Sequence, residues 1–331
     1  MNPLAPMAYR STSSLFAPIA HDLAETERLL RQSFDRSKPG IDRLFAHLNH
    51  YKGKRLRPAL LLLTAQACGK VTSAHHLLAA VVEMIHTATL VHDDVLDSAS
   101  VRRHVPTVNA LWGNQASILL GDFLFTHAFH LSSTLDDARA CRIIGESTNR
   151  LCEGELHQIC RRGCFDLSED EYFDIIDAKT AELTACSCKL GALFADMSED
   201  VIERLTIYGR SLGIAFQIAD DLLDLVGEEK TAGKSLGTDL DQQKLTLPLI
   251  YLLQNAPAEQ AARVRTILTA AGNHKRDALL PELHRAGAID YTRRKAEAFA
   301  SAAIAELECL PPSEARSILE VLADRVVHRD Q

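Results

Sequence analysis

Two long apolar stretches of this sequence end in the same way, and that recurrence limits what the chain can fold into. The first closes with LVHDDVLDSASVRR, Leu90–Arg103, and the second with QIADDLLD, Gln217–Asp224. In the first, Leu77, Val81, Ile85 and Ala88 keep a helical step ahead of Asp93, Asp94 and Asp97. Residues four apart share a helix face, so Asp93 and Asp97 carry like charges about 6 Å apart at Cβ. Such a pair calls for a cation. Mg²⁺ suits it, because that ion takes oxygen ligands, uses one or two carboxylates and completes its shell with water and phosphate. Arg102 and Arg103 follow within a few residues, and guanidinium pairs bidentately with phosphate.

Asp220, Asp221 and Asp224 repeat the spacing, with Lys234 and Lys244 downstream. One such motif reads equally well as a solvated acidic helix end. Two, each closing an apolar helix and each trailed by cations, read as two walls of one site that clamps a diphosphate through several Mg²⁺ ions.

The rest of the chain reads as helix. Alanine and leucine are abundant, aromatic residues make up 5%, and no convincing strand pattern or short repeat appears. Expected helices span 17–33, 41–49, 59–68, 74–97 with Ser73 as N-cap, 114–131, 135–160, 168–194 and 198–226, with four more near 258–272, 277–286, 290–309 and 313–328. Ser168 and Glu171 form a capping-box pattern. The glycine-containing stretch 227–237 reads as a loop able to act as a lid. The fold expectation is all-α: a single domain over residues 1–331, with long helices around a central cavity and residues 1–16 as a frayed leader.

Net charge is 36 − 44 = −8, which argues against a general nucleic-acid binder. No run of about 18 uncharged apolar residues marks a membrane span. The eight cysteines have no framework spacing, so a reducing, cytoplasmic setting is the simplest reading. Cys152, Cys160 and Cys164 with His157 offer a zinc set as a competing reading. His92 beside Asp93 offers a phosphohydrolase pair, which leaves the second aspartate motif unexplained.

Together with GKRLRP at 53–58, GDFLFTHAF at 121–129, Lys179-Thr180 and the TDL…K…TLPL block at 238–249, these motifs resemble the trans-isoprenyl diphosphate synthases, in particular the long-chain bacterial branch of the octaprenyl diphosphate synthase kind. The resemblance implies an Mg²⁺-dependent prenyltransferase. It would condense isopentenyl diphosphate with an allylic diphosphate such as farnesyl diphosphate, for the side chain of a respiratory quinone. Three Mg²⁺ ions are implied, with Asp93, Asp97 and Asp220 as primary ligands and Asp94, Asp221 and Asp224 in or near their surroundings. Arg102, Lys179, Thr180, Gln217, Lys234 and Lys244 are implied around the allylic diphosphate, and Lys54, Arg57, His86 and Arg103 around isopentenyl diphosphate. The chemistry asks for no enzymic nucleophile, and none of the usual arrangements is seen.

The same resemblance runs the growing chain down the helix of Asp93, past Thr89, Ala88, Ile85, Met84 and Val81. Short-chain relatives commonly carry aromatics at the positions of Ala88 and Thr89, so these small residues imply a long product. Phe123, Phe125 and Phe129 are candidate floor residues. A homodimer is implied, and so greasy a product implies peripheral membrane contact. A shorter-chain farnesyl or geranylgeranyl synthase, a terpene cyclase and a non-catalytic subunit of a hetero-oligomeric synthase are the alternatives. Three positions depart from the family pattern: Tyr51 and Lys52 replace glycines ahead of Gly53, His104 follows the arginine pair where glycine is common, and Gln243 precedes Lys244 where glycine is usual.

Overall fold

The structure, a computed structural model, describes residues 12–34, 40–51, 53–227, 236–270 and 274–328. Helices α1 (Ala20–Phe34), α2 (Asp42–His47), α3 (Leu56–Ala67), α4 (Ser73–Leu96), α5 (Val108–Ser133), α6 (Ala138–Cys160) and α7 (Glu169–Ile176) make up the first part of the chain. They are followed by α8 (Glu182–Leu193), α9 (Glu199–Val226), α10 (Leu247–Asn255), α11 (Ala258–Thr269), α12 (Lys275–Arg285), α13 (Ala288–Glu306) and α14 (Glu314–Val327). The fold is all-α. The only strands among the described residues are Val101–Arg102 and Val105–Pro106, a minimal antiparallel pair that sequence patterning did not show. Two residues per strand are too few for an alternation to register.

That hairpin turns on Arg103 and His104, whose φ angles are 51° and 64°. Two positive φ values between paired strands are the signature of a two-residue type I′ turn, where glycine is favoured because it has no Cβ to clash. The histidine that replaces the commoner glycine therefore sits in the conformation that glycine would take.

The chain forms two compact units. One holds the chain up to Thr148 with Leu183–Gly209 and Glu306–Val321; the other holds Asn149–Glu182, Arg210–Ala305 and the chain from Leu322.

In the first unit, α4 is the core. Leu78–Val82, Met84, Ile85, Ala88 and Val91 are almost fully buried, between α5 on one side and α1 and α3 on others. A helix that is apolar on most faces is stable only when enclosed. By length and composition α4 could cross a membrane, but 67% of its apolar window is already buried inside the protein. Its cap is Thr72, not Ser73. The Thr72 N–H donates to His75 Nδ1 at 3.0 Å, which leaves Nε2–H to donate to the Gly191 carbonyl at 3.1 Å. A threonine–histidine box lies outside the usual capping signature, and so it was missed. Of the leader expected over residues 1–16, residues 1–11 lie outside the described residues; a short helix spans Thr12–Leu15, and Leu15 and Phe16 are buried. An apolar pair that finds a core does not fray.

In the second unit, Tyr172, Ile175, Ile218, Leu222, Leu247, Ile250, Val264, Leu279 and Leu283 close one apolar cluster. The helix expected over 168–194 is interrupted by a π-helical turn at Asp177–Ala181. The helix expected to open at Asn114 does so after Gly113, whose φ of 82° is non-helical; the turn ahead of it, from Val108 and capped by Thr107, is helical as well and was not expected to be. Helix α10 and the short helix Thr238–Asp241 were not expected. Residues 228–235 of the expected lid lie outside the described residues.

Candidate active site

Both aspartate motifs occupy helix C-termini. Asp97 is the C-cap of α4, and Asp220, Asp221 and Asp224 lie in the last turns of α9. The unsatisfied carbonyls there carry partial negative charge, so clustered carboxylates are intrinsically unfavourable and must be compensated. Asp93, Asp97 and Asp220 are half-buried, whereas Asp94, Asp221 and Asp224 are buried and bonded to protein groups.

In the first unit, Asp94 has no exposed surface. It accepts from the Tyr51 hydroxyl at 2.6 Å and from Arg102 Nε at 2.7 Å. Arg103 donates to the Tyr51 carbonyl, and its guanidinium lies against Gly53, where a Cβ would come within 2.7 Å of it. Nearby, Arg55 is neutralised by Glu27 and Glu83. Arg57 is different: its Nε is buried with no hydrogen-bond partner, and burial pushes its pKa down. Among the described residues, neither Arg57 nor Arg103 is hydrogen-bonded to a carboxylate. His86 is held well below its ordinary pKa by burial and then by Arg57, Arg103, Arg102 and Arg55, so it is a neutral imidazole. Lys54 is exposed. The result is a basin with more positive than negative charge, suited to an anion.

In the second unit, a cavity of about 70 Å³ is lined by Gln158, Lys179, Thr180, Gln217, Asp221 and Lys244, among others. A hydrogen-bond chain crosses it. Thr180 donates to Gln217 Oε1 at 2.8 Å, Gln217 donates to Asp221 Oδ1 at 2.6 Å, and Tyr172 donates to Asp221 Oδ2 at 2.7 Å. Burial and the nearby Asp239 push the Asp221 pKa well up. Lys179 is paired with Glu155 at 2.5 Å and donates to Gln158 at 2.8 Å. Asp224 organises backbone: it accepts from Thr238 Oγ1 at 3.0 Å and the Asp239 N–H at 3.1 Å. Lys234 lies outside the described residues.

The π turn presents Lys179 and Thr180, and a glycine makes room for it. A Cβ on Gly154 would lie 2.7 Å from the Ala178 Cβ and 2.8 Å from the Lys179 nitrogen. Single π turns concentrate at functional sites. Gln243, at the position where glycine is usual, keeps a φ of 55°, and its carbonyl accepts from the Gly163 N–H at 3.0 Å.

The competing readings lose their footing. His92 Nε2 contacts the Ile118 carbonyl at 3.1 Å and its ring packs on Gly121, so it joins α4 to α5. Among the described residues no three His, Cys, Asp or Glu side chains converge to hold a metal by themselves, which removes the zinc set. The same observation fits Mg²⁺, whose shell is completed by water and substrate phosphate rather than by an all-protein cage. None of the eight cysteines, all of them described, is in a disulfide. Val81, Met84, Ile85 and Ala88 are wholly buried, and Thr89 is half-buried with its hydroxyl on the His86 carbonyl.

The sequence reading passed over Tyr172 and Gln158, took Glu155 as a neighbour of a packing glycine, placed Asp239 only within the TDL block and treated Tyr51 only as a lost glycine.

Residues 38–283 match the polyprenyl synthetase family model. The chain belongs to that family. It is 36% identical to the octaprenyl diphosphate synthase of Escherichia coli, over 94% of this chain and 97% of that one. It is equally identical to an all-trans-nonaprenyl-diphosphate synthase (geranyl-diphosphate specific) of Rhodobacter capsulatus, over 98% of this chain and all of the other. A crystal structure of a polyprenyl synthase from Caulobacter crescentus, complexed with calcium and isoprenyl diphosphate, superposes with a TM-score of 0.90 at 35% identity, covering 97% of this chain and 98% of that one. This polyprenyl synthetase is therefore a prenyltransferase, and its family is divalent-metal-dependent.

The contact of α4 with α5 at His92 is sterically exacting, since a Cβ on Gly121 would lie 2.2 Å from the imidazole Nε2. Gly121→Ala should lower stability by about 1–3 kcal/mol through overpacking. Chemical denaturation checks this, and an unchanged midpoint would show that the ring yields freely.

Proposed function

We propose that this chain extends an allylic diphosphate, farnesyl diphosphate, by successive addition of isopentenyl diphosphate to a long all-trans polyprenyl diphosphate near the octaprenyl length. The observation that carries this reading is the basin of Arg57, Arg103 and neutral His86 in the first unit. A terpene cyclase ionises one diphosphate and needs no second anion site; a condensing enzyme needs one. Retention of both aspartate sets and of the cations speaks against a non-catalytic subunit.

In this reading Asp93, Asp97 and Asp220 hold the metal, three Mg²⁺ ions per site. Asp94, Asp221 and Asp224 fix the surrounding groups through the hydrogen bonds described above. Mg²⁺ supplies Lewis-acid neutralisation of the departing diphosphate. Arg102, Lys179, Thr180, Gln217, Lys234 and Lys244 orient that diphosphate and stabilise the charge it gains as the allylic C–O bond breaks. Lys54, Arg57, His86 and Arg103 anchor isopentenyl diphosphate so that its alkene faces the allylic cation. A C–C bond forms, and the proton lost from the neighbouring carbon goes to an oxygen of the released diphosphate.

The reaction needs a dry site, because water would quench the cation. Small residues at Ala88 and Thr89 leave the product room to lengthen past Ile85, Met84 and Val81. Since Val81, Met84, Ile85 and Ala88 have no exposed surface in this structure, that room opens by displacement of packed side chains.

The enzyme acts in this reading as a cytoplasmic homodimer, releasing a product that partitions into membrane. Helix α5 supports the dimer: Leu111, Trp112, Ile118 and Leu119 are 50, 39, 45 and 68% exposed on it. This reading takes these exposed apolar side chains, on either side of the Gly113 break, as part of the dimer face.

Three measurements test these points. Purified protein given Mg²⁺, labelled isopentenyl diphosphate and farnesyl diphosphate should yield one long polyprenol after dephosphorylation. No incorporation with any allylic primer would defeat the enzyme reading, and a geranylgeranyl product would correct the length. Ala88→Tyr should shorten the product in the same assay, and an unaltered length sinks the tunnel assignment. Light scattering should give twice the 36.4 kDa chain mass; a monomer mass refutes the dimer.

A further inference from the structure

Tyr51 stands where the family pattern has glycine, yet it is 5% exposed and makes three hydrogen bonds at this site. Its hydroxyl accepts from the Val108 N–H at 3.1 Å and donates its single proton to Asp94 Oδ2 at 2.6 Å. Its carbonyl accepts from Arg103. One residue thus ties together the end of α4, the start of α5 and the arginine turn of the hairpin. Asn109 adds to the same knot, donating from Nδ2 to the Asp94 and Ala99 carbonyls at 3.2 and 3.0 Å.

The geometry at Asp94 shows what this achieves. Arg102 reaches Asp94 Oδ1 through Nε alone, at 2.7 Å. Its two terminal nitrogens make no hydrogen bond to a carboxylate among the described residues. A lone carboxylate beside an arginine ordinarily takes two parallel N–H bonds, which would spend a terminal nitrogen. Here Oδ2 takes the Tyr51 hydroxyl proton and only Oδ1 meets the guanidinium, so the pairing is one-sided and the guanidinium keeps its outer edge for an anion.

We propose that Tyr51 is a positioning residue of the diphosphate site: by occupying Asp94 Oδ2 it holds Arg102 in a one-point contact that leaves the arginine's terminal nitrogens for the diphosphate. It also sets Arg103 through its carbonyl. Without the hydroxyl, Asp94 Oδ2 is left buried with no donor, and Arg102 swings to satisfy it at the diphosphate's expense.

This inference rests on the prenyltransfer reading, so its test includes binding as well as turnover. Tyr51→Phe keeps the ring and the carbonyl and removes only the hydroxyl. Titration calorimetry with inorganic diphosphate in saturating Mg²⁺ should show a roughly tenfold weaker Kd. The KM for the allylic substrate should rise by a similar factor, with kcat changed less. In an Arg102→Lys background the same Tyr51→Phe change should have little further effect on Kd, because lysine has no second nitrogen to withdraw. All variants are compared well below their own melting temperatures, so that lost stability does not enter the Kd. A Kd within twofold of the parent overturns the proposal, as does a loss that is equally large in the Arg102→Lys background. Failure of the unaltered protein to make polyprenol, with tight Mg²⁺–diphosphate binding, would instead overturn the prenyltransfer reading.

Discussion

Acidic side chains at the negative end of a helix are the constraint on which the rest of this structure depends. Both aspartate motifs close long helices whose terminal carbonyls already repel anions. A chain that only needed to be stable would place lysine or arginine there. Here the fold instead spends its other resources on making the arrangement tolerable: Arg102 and Tyr51 at Asp94, Tyr172 and Gln217 at Asp221, and the backbone and hydroxyl of 238–239 at Asp224. Burial of an unpaired carboxylate costs several kcal/mol, so each fully buried member of the motifs has at least two donors.

The two motifs solve their middle position in parallel ways. Asp94 and Asp221 each take a tyrosine hydroxyl on one oxygen and a nitrogen donor on the other. The nitrogen differs: a charged guanidinium in one unit, a neutral amide in the other. Asp94 is thereby compensated in charge, whereas Asp221 is compensated only in hydrogen bonds and has its pKa driven up by burial and by Asp239. Tyr172 arrives from a helix and Tyr51 from a short turn, so the likeness lies in the chemistry of the carboxylate rather than in any repeat of the backbone.

Close approach is the second theme. Gly121 lets α5 meet the helix of Asp93 at His92, and Gly154 lets α6 meet the π turn that carries Lys179 and Thr180. Both glycines stand next to site residues and neither is reactive. Their role is to leave out a methyl group where an imidazole, at Gly121, or the backbone of the π turn, at Gly154, comes close, which places functional side chains without touching a ligand.

The helices were legible because apolar residues at a 3.6-residue step can be buried only one way, and the two aspartate motifs were legible because their spacing repeats. The hairpin at 101–106, the π turn and the Thr72 cap were not, since two-residue strands, one widened turn and a threonine–histidine pair leave no periodic trace. Local sequence thus determined the helical class, the positions of the six aspartates and the chemistry they can support. Tertiary structure alone decided which aspartates are turned inward onto tyrosines, which arginines are already neutralised and which remain for an anion. Those distinctions depend on partners distant in sequence, Tyr51 for Asp94 and Tyr172 for Asp221, whose hydroxyls reach a carboxylate only once the helices between them have packed.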